Sequence, residues 1–347
     1  MSKTGRLAVV TGWAILCIAF FAGVTCAADA ASADPEFALL GELPTTFTVY
    51  LTEHYALAHT ADETWAEQTG RLLESVRRQF LQDLAKAGFV LSDPPERLVW
   101  LCFSSDQAYR AYGWNADRAP AAWTAYYSSR TNRVAFLRDD GVRPQADVPT
   151  AQSEASGPVV AVFAQVPWRP GQANQAWPAV MSHEAAHQLA FNLGLQTRGV
   201  MYPLWVAEGI ATNFEVDAAG RCGMGRDNEA RRRDLEAAFR AGRLLPLNEF
   251  ITLVDAAQTD RCEASVVYAQ AWGLWRFLLQ HRGEQLRSYL AAVAAERPGQ
   301  RSRRMLRAEF VAAFGPIDRL EQPWRDFLAE LPGGKTPGSA EVITAGR

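Results

Sequence analysis

The sequence predicts an α+β protein in which a mixed α/β lobe precedes a helical lobe. Three observations predict it. Short apolar runs with strand-like alternation, separated by turn residues, are confined to the stretch before residue 167. From residue 175 onward the apolar residues recur at helical spacing almost to the C-terminus. The first of those helical segments carries His183-Glu184-Ala185-Ala186-His187. Composition agrees with a folded chain: 347 residues, 48% hydrophobic and 21% charged, with a formal net charge of −3. That balance excludes an intrinsically disordered chain. It also lacks the basic excess of a nucleic-acid binder. Lys3, Lys86 and Lys335 are the only lysines, and the densest basic run, Arg231-Arg232-Arg233, reads as a solvated helix face.

The elements follow in order. Lys3 and Arg6 precede an apolar stretch from Leu7 to Val24, and small residues such as Ala28-Asp29-Ala30 and Ala31-Ser32-Ala33 come next. This is the order of a secretory signal, with an uncleaved membrane anchor as the alternative. Residues 1–30 are therefore expected to export the chain to the periplasm or the extracellular space. Phe47–Thr52 alternates like a strand, Ala61–Ala87 has helical spacing ended by Gly88, and Arg97–Ser104 is a second strand. A short helix is expected over Asp106–Tyr112. Ala122–Tyr127 and Arg133–Arg138 flank Ser128–Asn132 as a hairpin, and Val159–Val166 reads as one more strand. Helices are expected over Ala176–Leu193, Leu204–Glu215, Asn228–Ala241, Ala264–Gln280, Glu284–Ala295, Arg303–Phe314 and Asp318–Leu331. The organisation is thus an N-terminal α/β lobe over 31–170, a helical lobe over 171–331 and a disordered tail over 332–347. Of the cysteines beyond the export segment, Cys102 reads as a core residue of a strand. Cys222 and Cys262, both in loop-like sequence, are expected to pair in an oxidising compartment.

The chemistry lies in the H-E-x-x-H segment. Four residues apart on a helix, His183 and His187 share one face, so two imidazoles can bind one Zn²⁺. Glu184 can reach a water at the metal without being a ligand, and so is placed to act as general base. A catalytic zinc needs a third protein ligand and an open position. Glu208, in Pro203-Leu204-Trp205-Val206-Ala207-Glu208-Gly209-Ile210-Ala211-Thr212, supplies it on an otherwise apolar helix. Gly209 and Ala211 are small enough for that helix to pack closely on the one carrying the histidines. Glu215 is the alternative ligand, or a carboxylate that holds a histidine tautomer.

An H-E-x-x-H followed by W-x-x-E-G-x-A resembles the gluzincin metallopeptidases. More closely, the chain resembles the peptidase MA-like group of exported bacterial proteins of unknown function, the DUF1570-type family. The similar stretches are Tyr126–Arg133, His183–Leu193, Pro203–Glu215 and Tyr268–Trp272, within residues 45–331. The resemblance implies a thermolysin-like zincin, with a mixed sheet beside the active-site helix and a helical lobe beyond it. Thermolysin-like enzymes carry an aspartate one turn after the glutamate ligand; here that position is Thr212, which puts the usual support of the zinc ligands in doubt.

Hydrolysis also needs a donor for the developing oxyanion. Tyr268, at the start of a helix with Trp272 and Trp275, is a candidate, with a core tyrosine as the plainer reading. Tyr202 and His281 are weaker candidates, and His54 and His59 read as surface or satisfied histidines. Trp168, Trp177 and Trp205 either line a cleft or belong to the core. The expectation is an exported peptidase holding one Zn²⁺ per chain through His183, His187 and Glu208. Glu184 is its base, Tyr268 the candidate donor, and a peptide or protein its substrate. The alternative is a catalytically inactive zinc-binding or peptide-binding protein of the cell envelope.

Overall fold

A computed structural model describes residues 46–120, 123–138, 173–217 and 219–331. The expected export segment, the strand expected over Val159–Val166, the expected boundary near residue 170 and the tail over 332–347 lie outside the described residues. Within them, all strands fall before residue 138 and residues from 173 onward are helical or irregular. The fold is thus mixed α/β, with an N-terminal sheet and a C-terminal helical region. Among the described residues, no helix is long and apolar enough to cross a membrane.

Five strands form one mixed sheet. They are β1 (Thr48–Leu51), β2 (Tyr55–His59), β3 (Leu98–Phe103), β4 (Ala125–Ser128) and β5 (Arg133–Leu137), in spatial order β1-β2-β3-β5-β4. β2, β3 and β5 run parallel, while β1 and β4 are antiparallel edge strands. Helix α1 (Glu63–Lys86) makes the crossover from β2 to β3. Asp62 caps its N-terminus by accepting a hydrogen bond from Trp65 N, and Trp65, Leu73, Val76, Phe80 and Leu84 form its buried stripe. Because side chains alternate along a strand, the sheet sorts its core residues to two faces. Leu57, Trp100, Tyr127, Val134 and Phe136 join the large core beneath α1, whereas Ala58, Leu101, Tyr126, Ala135 and Leu137 join a smaller one. Tyr109 of α2 (Asp106–Tyr112) packs into the smaller core, and a π-helical turn, Gly113–Asp117, follows α2.

The helical region runs α3 (Ala173–Asn192), α4 (Leu204–Thr212), α5 (Glu229–Arg240), α6 (Leu247–Phe250), α7 (Ala264–His281), α8 (Gly283–Ala294), α9 (Arg303–Phe314) and α10 (Ile317–Glu330). The close approach of α4 to α7 depends on Gly209. A Cβ there would stand 2.9 Å from Ala271 O and 2.9 Å from Trp275 Cβ. The small residue expected to meet the histidine helix thus meets α7 instead.

Several expectations need correction. Strand β2 is absent from the sequence reading, which stops at Thr52. The first hairpin strand begins at Ala125, not Ala122, and includes Ser128. Helix α4 ends at Thr212, where Asn213 leaves the helix and donates its side-chain amide to Gly209 O at 2.7 Å. Cys222 and Cys262 are free thiols. Cys222 sits in the turn held to α1 by Met224 N donating to Asp83 at 2.8 Å, whereas Cys262 lies beside Arg261, which pairs with Glu249 of α6. The two loops are tied to different helices, α1 and α6. The arginine run is not a solvated face either. Arg231 and Arg232 are only 8% and 7% exposed. Arg232 pairs with Asp227 and Glu236, and only Arg233 is exposed, where it pairs with Glu229.

Candidate metal centre

The site begins with how α3 is held. Residues Met181–Ala190 are all buried, which removes the helix from water on every side. Its polar side chains therefore need partners inside the protein. Gln188 finds them in the sheet: its Oε1 accepts from Trp100 Nε1 at 2.8 Å, and its Nε2 donates to Val99 O and Asn132 O at 3.2 and 3.3 Å. Asn132, in the left-handed conformation at φ 58° in the β4–β5 turn, exchanges amide hydrogen bonds with Asn192 and accepts from Tyr127 Oη at 2.9 Å. These contacts lock edge strand β4 against α3. As a result, Tyr127 N, on the open edge of the strand, donates to Glu184 Oε2 at 2.8 Å. Glu184 Oε1 has no hydrogen-bond partner although it is buried.

His183 and His187 lie one helical turn apart, with their Nε2 atoms 3.2 Å from each other. Glu208 Oε2, from α4, is 3.2 Å from His183 Nε2 and 3.6 Å from His187 Nε2. Ligands about 2.0–2.1 Å from a tetrahedral ion stand roughly 3.3 Å apart. The three observed edges are close to that spacing, and the donor set of two imidazole nitrogens and one carboxylate oxygen suits a divalent transition ion. Among the described residues, these three form the one group of His, Cys, Asp or Glu side chains that could hold a metal ion.

The segment after α4 completes the surroundings. Val216 N donates to Ser182 Oγ at 2.9 Å, and Ser182 Oγ donates to Ala179 O at 2.9 Å. That bond sets the register for the neighbouring pair, placing Glu215 Oε1 3.0 Å from His183 Nδ1. Glu215 is in turn gripped from α5. Arg231 donates through Nε and Nη2 at 3.0 and 2.6 Å, and Asn228 Nδ2 donates at 2.8 Å. Thr212 lends the histidines no support, because its hydroxyl turns back to Glu208 O at 2.6 Å. Glu215 thus stands where a tautomer-fixing carboxylate is needed, reached by a chain reversal and not by continuing the helix.

Charge follows this arrangement. Burial lowers the basicity of His183, but Glu208 and Glu215 outweigh it and raise its pKa to about 10. Burial dominates at His187, whose pKa is lowered. Burial also opposes ionisation of Glu208 and Glu215. The histidines outweigh it for Glu208, and Arg231 with His183 for Glu215, so both carboxyls are held at about 2. Glu184 goes the other way, pushed up to about 8 by burial, with Glu208 adding to the rise and His183 and Tyr127 N opposing it. One carboxylate beside the histidines is therefore shifted towards the proton-holding range, while two are kept ionised.

Residues 178–300 match the family described as "Protein of unknown function (DUF1570)". No curated protein compared matches the chain. The DUF1570 match supports kinship over the stretch that carries His183, Glu184, His187, Glu208, Glu215, Arg231 and Tyr268. It does not include Tyr127, which holds Glu184.

Other candidates fall in place around this centre. Tyr268 is buried, with its ring 6.3 Å from that of His183 and the Arg231 guanidinium 5.5 Å over it. Tyr202 Oη is occupied elsewhere, accepting from Thr197 N at 2.8 Å. His281 packs against Phe277 with tilted rings and edge-on against Phe327 at the far end of α7. His54 is held by Glu74 at 2.8 Å, and His59 is buried against Thr48 and Ala61 O. Trp205 is a core residue between Tyr289 and Phe310, while Trp177 packs on Trp65; Trp168 lies outside the described residues. Sequence reasoning missed Asn228 and Arg231. The signals were present in Asn228 as a helix cap and in the acidic residues flanking the arginines.

Proposed function

We propose that this chain is an exported zinc-dependent metallopeptidase of gluzincin type, with a thermolysin-like catalytic unit. The observation that carries the reading is the triangle of His183 Nε2, His187 Nε2 and Glu208 Oε2, with edges of 3.2, 3.2 and 3.6 Å, beside the unpartnered Glu184 Oε1. His183, His187 and Glu208 would hold the ion. When bound, the zinc supplies Lewis acidity to a water and to the scissile carbonyl. Glu184, secured through Oε2 by Tyr127 N, takes a proton on Oε1 as the water oxygen attacks the carbonyl carbon. The same carboxyl then returns the proton to the leaving amine nitrogen as the C–N bond breaks. Tyr268, close to His183, is the candidate donor to the oxyanion. Export rests on the Lys3, Arg6 and Leu7–Val24 pattern.

The test is a peptide-library cleavage assay on the mature protein, with zinc added and with a chelator. Cleavage that zinc restores after chelation supports the proposal. Measured zinc with no cleavage across the library favours a non-catalytic metal protein. N-terminal sequencing from the native host should begin between Ala27 and Asp34, and an intact Met1 on cytosolic protein would end the export reading.

A further inference from the structure

We infer that Asn228 and Arg231 are positioning residues for the metal: together they fix Glu215, so that His183 presents Nε2, and not Nδ1, to the ion. The inference rests on the metal reading above. It begins from an accounting of Glu215. Both of its oxygens are occupied, Oε1 by His183 Nδ1 and Arg231 Nη2, and Oε2 by Arg231 Nε and Asn228 Nδ2. Arg231 contributes a planar fork that fixes the plane of the carboxylate as well as its charge. Asn228 does two jobs at once. Its Oδ1 caps α5 by accepting from Arg231 N at 3.2 Å, while its Nδ2 donates to Glu215 Oε2 and to Thr212 O at 3.1 Å. One residue therefore sets the start of α5, the end of α4 and the orientation of the carboxylate between them. The ion pair is buried, with both side chains 10% exposed, so neither partner is averaged by solvent. Nothing in helix capping or core packing requires an arginine fork aimed at a carboxylate that itself meets a metal ligand.

The experiment separates positioning from plain stability. Asn228→Ser keeps a competent helix cap but removes the amide donor. Arg231→Lys keeps the charge but removes the fork. Arg232→Lys is the control, because it alters a buried ion pair of the same helix that faces Asp227 and Glu236. The zinc dissociation constant is measured for each full-length protein by competition with a chromophoric chelator, beside the melting curve of the metal-free form. Asn228→Ser and Arg231→Lys are each expected to weaken zinc binding about tenfold or more, with Arg232→Lys unchanged. Wild-type affinity in a folded Asn228→Ser protein overturns the inference, whether or not Arg231→Lys folds. Equal weakening by Arg232→Lys also overturns it, because that marks a general effect of helix stability. A wild-type chain that takes up no zinc ends the metal reading, and the inference with it.

Discussion

Glu215 Oε1 stands 3.0 Å from His183 Nδ1, although Glu215 lies three residues beyond the end of the helix that carries Glu208. The same short segment therefore delivers a carboxylate that faces both histidine Nε2 atoms and, after a turn, a carboxylate for the back of a histidine. An N–H on Nδ1 directed at Glu215 leaves Nε2 as the His183 atom that faces Glu208 and His187, and so the one that would donate an electron pair to an ion. This relationship gives the triangle of donor atoms its orientation, and it separates the expected effects of the individual side chains.

Metal loss is the first expectation. His187→Ala removes one corner of the triangle and should nearly abolish zinc uptake, measured as zinc per chain in purified mature protein. Glu208→Gln keeps a neutral oxygen at its corner and should weaken binding, so that raising free zinc restores part of the occupancy. Full occupancy in His187→Ala at the free zinc concentration that just saturates the wild type would disprove this ligand set.

The His183, His187 and Glu208 group, which could hold a metal ion, was legible because its information is local. The spacing of His183 and His187 fixes one helical face, and the apolar setting of Glu208 implies a carboxylate with a buried task. Helix α9, Arg303–Phe314, was legible for the same reason. Strand β2 was not, because Tyr55–His59 is buried throughout and shows no alternation. Arg231 and Asn228 escaped because their task depends on the chain reversal after Thr212, which no periodicity records. A triple arginine reads alike on a wet face and beside buried acids. The cysteine pairing failed because compartment and loop placement say nothing about whether two loops meet.

Close packing gives a prediction about stability. Gly209→Ala would force a methyl group against Ala271 O and Trp275 Cβ, both 2.9 Å away. Neither is the movable end of a side chain, so α4 and α7 must separate. A loss of about 1–3 kcal/mol in unfolding free energy is expected from urea titration. Because Glu208 precedes this glycine, zinc affinity should fall as well. Wild-type values for both quantities would show that the helices yield freely.

Acid should weaken the metal-free protein through Glu215. Its carboxyl is held at about 2 in the fold, against an ordinary value of 4.5. A depressed acid contributes stability that is fully present above the unfolded value and disappears as pH falls through the folded one. The loss attributable to Glu215 therefore lies between 4.5 and about 2. Unfolding free energies measured in urea at about pH 5 and about pH 3 should differ less in Glu215→Gln than in the wild type. The difference between the two proteins cancels contributions common to both, including that of Glu208. An equal fall in both would show that Glu215 is not held ionised by Arg231 and His183.

Glu184→Gln separates the base from the metal. Tyr127 N donates to Glu184 Oε2 at 2.8 Å, a bond that a glutamine oxygen can still accept, so the side chain should keep its place. The amide cannot take a proton from water at neutral pH, and it carries no charge to favour the attack. Zinc content should therefore remain near the wild-type value. Thermal stability should not fall, because burial already disfavours the ionised carboxylate that the substitution removes. Hydrolysis of a library-derived substrate should drop by about 10²–10⁴-fold, the range for a lost general base. The two measurements belong together. Loss of zinc along with activity would make Glu184 a structural part of the metal site. Full activity with full zinc would move the proton transfer to another group, and Glu215, already committed to His183 and Arg231, is poorly placed to receive it.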